Sequence, residues 1–336
     1  PPDKSKRLDV WLPIPPSDFG QEVRARRLST FPQEVEAKID RESMFGNQFA
    51  FFQFDNPQGA QIIRHQFTVK VWELRWGLDP DRVQSVSEWP QSFDRYRRGE
   101  QQAIVVDERF GKLLAEVVPQ RISPLRDVEQ VLGWVHRNFE YDHVDASLRA
   151  DSLHGLTKHR GHCSDYHSFC AAMGRALGYP TRIIYGINTF PKSSPSHCKL
   201  EVFLPPYGWV SFDVSETQKL NAEIQKNQDL SDADRQRLSE AANRRLLRGF
   251  RDNTWFAQTR GSDYDLVPKA SRRVPVVRTI YAEADGVPLP DPDPANKQQR
   301  EFAWMTAHRY VADRPVEYPF TNWKSLEADT PKETQE

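Results

Sequence analysis

The stretch GHCSDYHSFCAAMGRALGYPTRIIYG, residues 161–186, sets a cysteine at the front of a helical pattern that stops at a glycine and runs into a strand. Tyr166, Phe169, Cys170, Met173 and Leu177 recur at helical spacing. Gly178 supplies the stop, Pro180 blocks continuation, and TRIIYGI reads as β. Upstream, RISPLRDVEQVLGWVHRNFEY predicts a second helix, with Ser123 as N-cap and Pro124 in the first helical position. Val128, Val131, Leu132, Val135 and Phe139 form its apolar face. Downstream, SHCKLEVFL and GWVSFDVS read as strands joined by the turn PPYG. Residues 120–216 thus predict helix, helix, strand, strand, strand, an α+β unit with antiparallel pairing.

Outward from this unit the pattern changes. RLDVWLPIP, QEVRARRLS, NQFAFFQFDN and IIRHQFTVKVWELRW alternate polar and apolar residues across 7–115, with no convincing long helix, and predict a β-sandwich. After 216, SDADRQRLSEAANRRLLRGF reads as a charged helix capped by Ser231. SDYDLVP and RRVPVVRTIYAEADGV read as strands, REFAWMTAHRYV as a last helix, and EADTPKETQE as a disordered tail. The expected division is an N-terminal sandwich-like β domain over 1–115, a catalytic core with C-terminal strands over 116–290, and a helix and tail over 291–336.

Composition narrows the function classes. A formal net charge of −1, with 28% charged residues mixed along the chain, does not provide the basic face of a nucleic-acid binder. No apolar run reaches the ~20 residues of a membrane span. The start PPDKSKRLDV has neither an initiator Met nor an apolar signal core and reads as a processed or trimmed start, which leaves room for a removed export signal.

The three cysteines are too few for a disulfide scaffold, although a Cys170–Cys198 bridge would leave Cys163 as the free thiol. At a helix N-terminus Cys163 meets unpaired backbone N–H groups and the helix dipole, both of which favour a thiolate; alone, it reads more readily as a small buried side chain. A nucleophile needs a base and something to orient it, and His197 and Asp213 lie on neighbouring strands. If the turn has an odd number of residues, Leu204 to Gly208, Phe203 pairs with Trp209 and His197 and Asp213 share a face as diagonal neighbours. An even turn puts Asp213 on the other face. The competing chemistry is zinc, since His154, His159, His162 and His167 crowd around Cys163; their spacing offers i, i+4 pairing only through Cys163 itself.

Together these runs resemble the core of the transglutaminase-like superfamily, in which a G-x-C motif opens the core helix and R-A-L-G-x-P-x-R ends it. Here those are Gly161, Cys163 and Arg175–Arg182; His197 with Glu201 and Val202 matches the family's H-x-x-x-E-V run, and Gly208, Trp209 and Asp213 its G-W-x-x-x-D run. The resemblance implies a papain/transglutaminase-like α+β fold, a helix bearing the cysteine packed on an antiparallel sheet, after an N-terminal β domain. It implies a Cys163–His197–Asp213 triad, no cofactor and no metal. The expected activity is thiol-dependent acyl transfer on a protein or peptide substrate, by hydrolysis, with amine cross-linking and a non-catalytic binding module as alternatives. His162, Tyr166, Lys199 and Trp209 are the expected cleft residues. Many bacterial members carry a Trp two residues after the His, where this chain has Lys199.

Overall fold

The computed structural model describes residues 1–190, 195–296, 298–299 and 307–329. The N-terminal region opens with β1 (Arg7–Ile14), β2 (Gln21–Phe31), β3 (Lys38–Arg41), β4 (Gln48–Asp55), β5 (Ile62–Val71) and β6 (Leu74–Arg75). The run expected as one strand over 62–76 is split into β5 and β6. β1 and β4 alternate cleanly. Leu8, Val10, Ile14, Ala50, Phe52 and Phe54 turn to one face, where Leu28 of β2 and Ile63 of β5 cover them. Trp11, Phe49 and Phe51 turn to the other, against Tyr264, Leu266, Val274 and Val277. β2 and β5 form a separate antiparallel ribbon, so the arrangement is sandwich-like on that side.

A helix follows where none was expected. α1 (Glu108–Val117) is capped by Asp107, whose side chain accepts from Arg109 N, and it buries Phe110 and Val117. α2 (Pro124–Asn138) starts as its sequence requires, with Ser123 Oγ accepting from Arg126 N at 3.4 Å and Pro124 in the first turn. β7 (Glu140–Tyr141), α3 (Ser152–Lys158) and β8 (Arg160–Gly161) lead into α4 (Cys163–Ala176). The apolar stripe of α4 understates its burial, because every residue from Cys163 to Arg175 is covered. It is a central helix, enclosed on all sides.

β9 (Thr181–Asn188), β10 (Ser196–Leu204) and β11 (Gly208–Phe212) then form an antiparallel meander. After α5 (Val214–Lys226), α6 (Asp232–Leu247) and β12 (Phe250–Arg251), β13 (Trp255–Arg260) joins it, giving the order β11-β10-β9-β13. Cys198, Leu200, Val202, Val210 and Phe212 pack with Phe169, Cys170 and Met173 of α4 in the main core. The motif arginines brace the joint between helix and sheet. Arg175 pairs with Glu100 at 2.9 Å and donates to Thr181 O at 3.1 Å. Arg182 pairs with Glu201 at 2.6 Å and lies 4.0 Å over the Trp209 ring.

The C-terminal part returns to the first sheet. β14 (Tyr281–Ala284) pairs antiparallel with β1, and β15 (Val287–Pro288) extends it, so the sheet order is β15-β14-β1-β4-β3. The strand expected over 262–268 contributes a single bridge, Tyr264 to Val274. The helix expected over 300–311 falls largely outside the described residues, and 307–311 is irregular. A 3₁₀ helix runs from Trp323 to Asp329, into the first residues of the segment read as tail (327–336); 330–336 lie outside the described residues. No described helix is long and apolar enough to cross a membrane.

Candidate active site

The β10–β11 turn has the odd count. Leu204 faces Gly208, Phe203 faces Trp209 and Leu200 faces Phe212, so the register leads to Asp213 across from Lys199, which shares a side with His197 two residues along β10. Asp213 follows β11 directly and does two jobs. As N-cap of α5 its Oδ1 accepts from Glu216 N and Ser215 Oγ, both at 3.1 Å. Its Oδ2 accepts from His197 Nε2 at 2.7 Å and from Lys199 Nζ at 2.7 Å. The carboxylate is buried, which opposes its charge, yet Lys199 and His197 hold it well below the usual carboxylate range.

His197 is 2% exposed. Burial works against its charged form, but Asp213 and Cys163, through charge and hydrogen bonds, outweigh this and raise it to about 10. The imidazole therefore stands between the Asp213 carboxylate and the Cys163 thiol. Glu216 Oε1 lies 3.9 Å from His197 Nδ1. All three cysteines are free thiols; burial pushes those of Cys170 and Cys198 up, out of the range of a nucleophile.

The N-terminus of α4 is set by Asp165. Its Oδ2 accepts from His162 N at 3.0 Å and Ser147 N at 3.2 Å, and its Oδ1 from Ser147 Oγ. This ties the loop after β7 to the first turn of the helix. Gly161 sits against that carboxyl with φ +139°, and a Cβ there would collide with it. The glycine of the G-x-C motif is thus required by both backbone and space.

The four expected cleft residues lie in different surroundings. Tyr166 is fully buried and its hydroxyl donates to Gln218 Oε1 at 2.8 Å, making it core. Lys199 is buried at 1% exposure, in an ion pair with Asp252 at 3.0 Å as well as with Asp213. Trp209 sits four residues from Asp213, packed with Arg182, Tyr96 and Phe203. His162 turns to His143, Nε2 to Nδ1 at 2.8 Å, with Tyr141 stacked 5.9 Å away.

Tyr141 was not marked by the sequence reading. β7 pairs in parallel with β8, with Tyr141 opposite Gly161, two residues before Cys163. Tyr141 is 39% exposed as a residue; burial around its hydroxyl, with the charges of Cys163 and Glu216, raises it well above the usual phenol value, and the Cys163 backbone amide donates to it. The histidines weighed for zinc separate. His154 faces Asp145, His159 stacks on Phe139, and His167 lies inside, its Nε2 3.6 Å from Asp213 Oδ1. Among the described residues no three His, Cys, Asp or Glu side chains converge on a metal geometry.

The fold of this core is shared with known proteins. Residues 112–214 match the model of the transglutaminase-like superfamily. The core is transglutaminase-like. An uncharacterized protein of Haemophilus influenzae is 26% identical over 212 residues, which span 53% of this chain and 54% of that protein, so the match covers about half of the relative's length. A candidate cysteine protease from Cytophaga hutchinsonii has a similar structure, with a TM-score of 0.56 at 14% identity, covering 83% of this chain and 81% of that chain. That likeness carries the fold beyond the transglutaminase-like core. The periplasmic domain of TgpA from Pseudomonas aeruginosa is more distant, at a TM-score of 0.33 and 15% identity over 67% of this chain and 92% of that chain.

Proposed function

We propose that the protein transfers acyl groups from peptide or carboxamide bonds through a Cys163–His197–Asp213 triad, with water as the acceptor. The observation that carries this reading is His197, bonded to Asp213 Oδ2 at 2.7 Å on one side and to the Cys163 thiol on the other. The Cys163 thiolate attacks the carbonyl carbon and its π electrons move to oxygen. The Tyr141 hydroxyl, which accepts from the Cys163 amide, is the donor beside the thiol for that oxyanion. Collapse of the intermediate breaks the C–N bond, and the departing amine takes the proton of His197. Water then attacks the thioester, His197 accepts its proton, and the carboxylic acid leaves as the thiol is restored. Throughout, Asp213 fixes the imidazole's orientation and stabilises its cationic form.

A peptide-library digest with and without an added primary amine tests this. Wild type is expected to produce new carboxyl termini, and Cys163→Ala none. Amine incorporation in place of hydrolysis overturns water as the acceptor, while equal products from Cys163→Ala overturn the thiol mechanism.

A further inference from the structure

The mechanism above leaves a buried lysine unused. Lys199 is 1% exposed, and its ammonium sits between two carboxylates, Asp213 Oδ2 at 2.7 Å and Asp252 Oδ2 at 3.0 Å. The rings of Trp255 and Phe320 close around it at 5.4 and 5.2 Å. Asp252 is itself fully buried, and its Oδ1 accepts from Thr254 N at 3.1 Å and from Thr254 Oγ1. An ammonium persists in such a place only with its counter-charges. A structural ion pair needs no more than that. What sets this one apart is the shared atom: His197 Nε2 and Lys199 Nζ bond the same oxygen of Asp213.

We propose that Lys199, clamped by Asp252, is a positioning residue for the Cys163–His197 pair: it fixes the Asp213 oxygen that orients the imidazole, and its charge sets the pH range in which the thiolate forms. This rests on the acyl-transfer reading. Around Cys163 and His197 the charges alternate outward, thiolate, imidazolium, Asp213, Lys199, Asp252. Among the described residues, His167 on α4 and Glu216 on α5 also face His197, and Tyr141 on β7 lies beside Cys163. Tyr318, from the C-terminal segment, reaches the same region through Glu216. Lys199 is closer to the pair than Asp252, so deleting both removes net positive field and disfavours the thiolate. Deleting the charge of Asp252 alone frees Lys199 from its second partner and favours the thiolate. The two variants therefore shift in opposite directions, which a purely structural role does not produce.

The test is the rate of Cys163 alkylation by iodoacetamide against pH, read by peptide mass spectrometry, in wild type, Asp252→Asn, Lys199→Met/Asp252→Asn and His197→Ala. Asp252→Asn keeps the Lys199–Asp213 pair and is the variant that preserves the fold best. Its acid-side inflection is expected to fall by roughly half a unit to one unit, and that of the double variant to rise by about one unit. Inflections equal to wild type in Asp252→Asn, or a shift of the same sign in both folded variants, overturn the role of Lys199. If His197→Ala also leaves the wild-type profile unchanged, the thiol–imidazole pair is absent and the acyl-transfer reading itself fails.

Discussion

His167 on α4 and His197 on β10 face each other with ring centroids 6.3 Å apart, and their basicities move in opposite directions. Burial, with the nearby His197 and Lys199 charges, overrides the attraction of Asp213 and lowers His167 to about 4. His197, bonded to Asp213 and Cys163, overcomes the same burial and rises to about 10. The difference is charge first and hydrogen bonding second: His197 has Asp213 at 2.7 Å and the Cys163 thiol as partners, whereas His167 Nε2 stays 3.6 Å from Asp213 and faces the His197 and Lys199 charges.

Stability should carry both signatures. His197 is raised, so its contribution is complete below the usual 6.5 and is lost as pH climbs toward about 10. His167 is lowered, so its contribution is present above 6.5 and is lost as pH falls toward about 4. Thermal midpoints against pH are expected to fall more gently on the alkaline side in His197→Gln, and on the acid side in His167→Leu. Limbs as steep as those of wild type would show that neither imidazole titrates as the structure places it.

Asp213→Asn keeps an oxygen for the α5 cap but loses the charge shared by His197 and Lys199. Turnover should fall about a hundred- to ten-thousand-fold with the chain still folded. Asp213→Ala should in addition lower the melting temperature, because the cap is lost and Lys199 keeps only Asp252. Steady-state kinetics with circular dichroism separate the two effects.

Tyr141→Phe removes a donor beside the thiol and leaves the triad in place. We expect kcat to drop about ten- to a thousand-fold, with Cys163 alkylation close to the wild-type rate. Loss of alkylation as well would place Tyr141 in the thiol's activation, not in oxyanion binding.

Gly161→Ala asks an L-residue to adopt φ +139° against the Asp165 carboxyl. A loss of about 2 kcal/mol or more in denaturant unfolding is expected. Loosening of the 142–151 loop, held to α4 through Ser147 and Asp165, should accompany it and be visible by hydrogen exchange.

Local rules made much of this core legible. Ser123 and Pro124 opened α2, Gly178 closed α4, and turn parity decided whether His197 and Asp213 meet; Phe203 opposite Trp209 answers it. What local pattern missed was set by distant chain or by overlapping signals. α1 hid in a strand-rich region despite its Asp107 cap. Asp213 carries the D-x-x-E capping pattern with Glu216, so the strand-end aspartate is also the first residue of a helix signal. β14 pairs with β1 across most of the chain, which no periodicity announces. Lys199 projects with His197 from β10, but Asp252, the partner that explains its burial, comes from a loop more than fifty residues on.

The central claim is that Cys163 and His197 act as one ionised pair. It is tested most directly by alkylating the folded protein with iodoacetamide at pH 6, where a thiol of ordinary pKa ~8.5 is under about 1% ionised. Cys163 in wild type is expected to react at least about ten times faster than in His197→Ala. Equal rates in the two proteins would contradict the account.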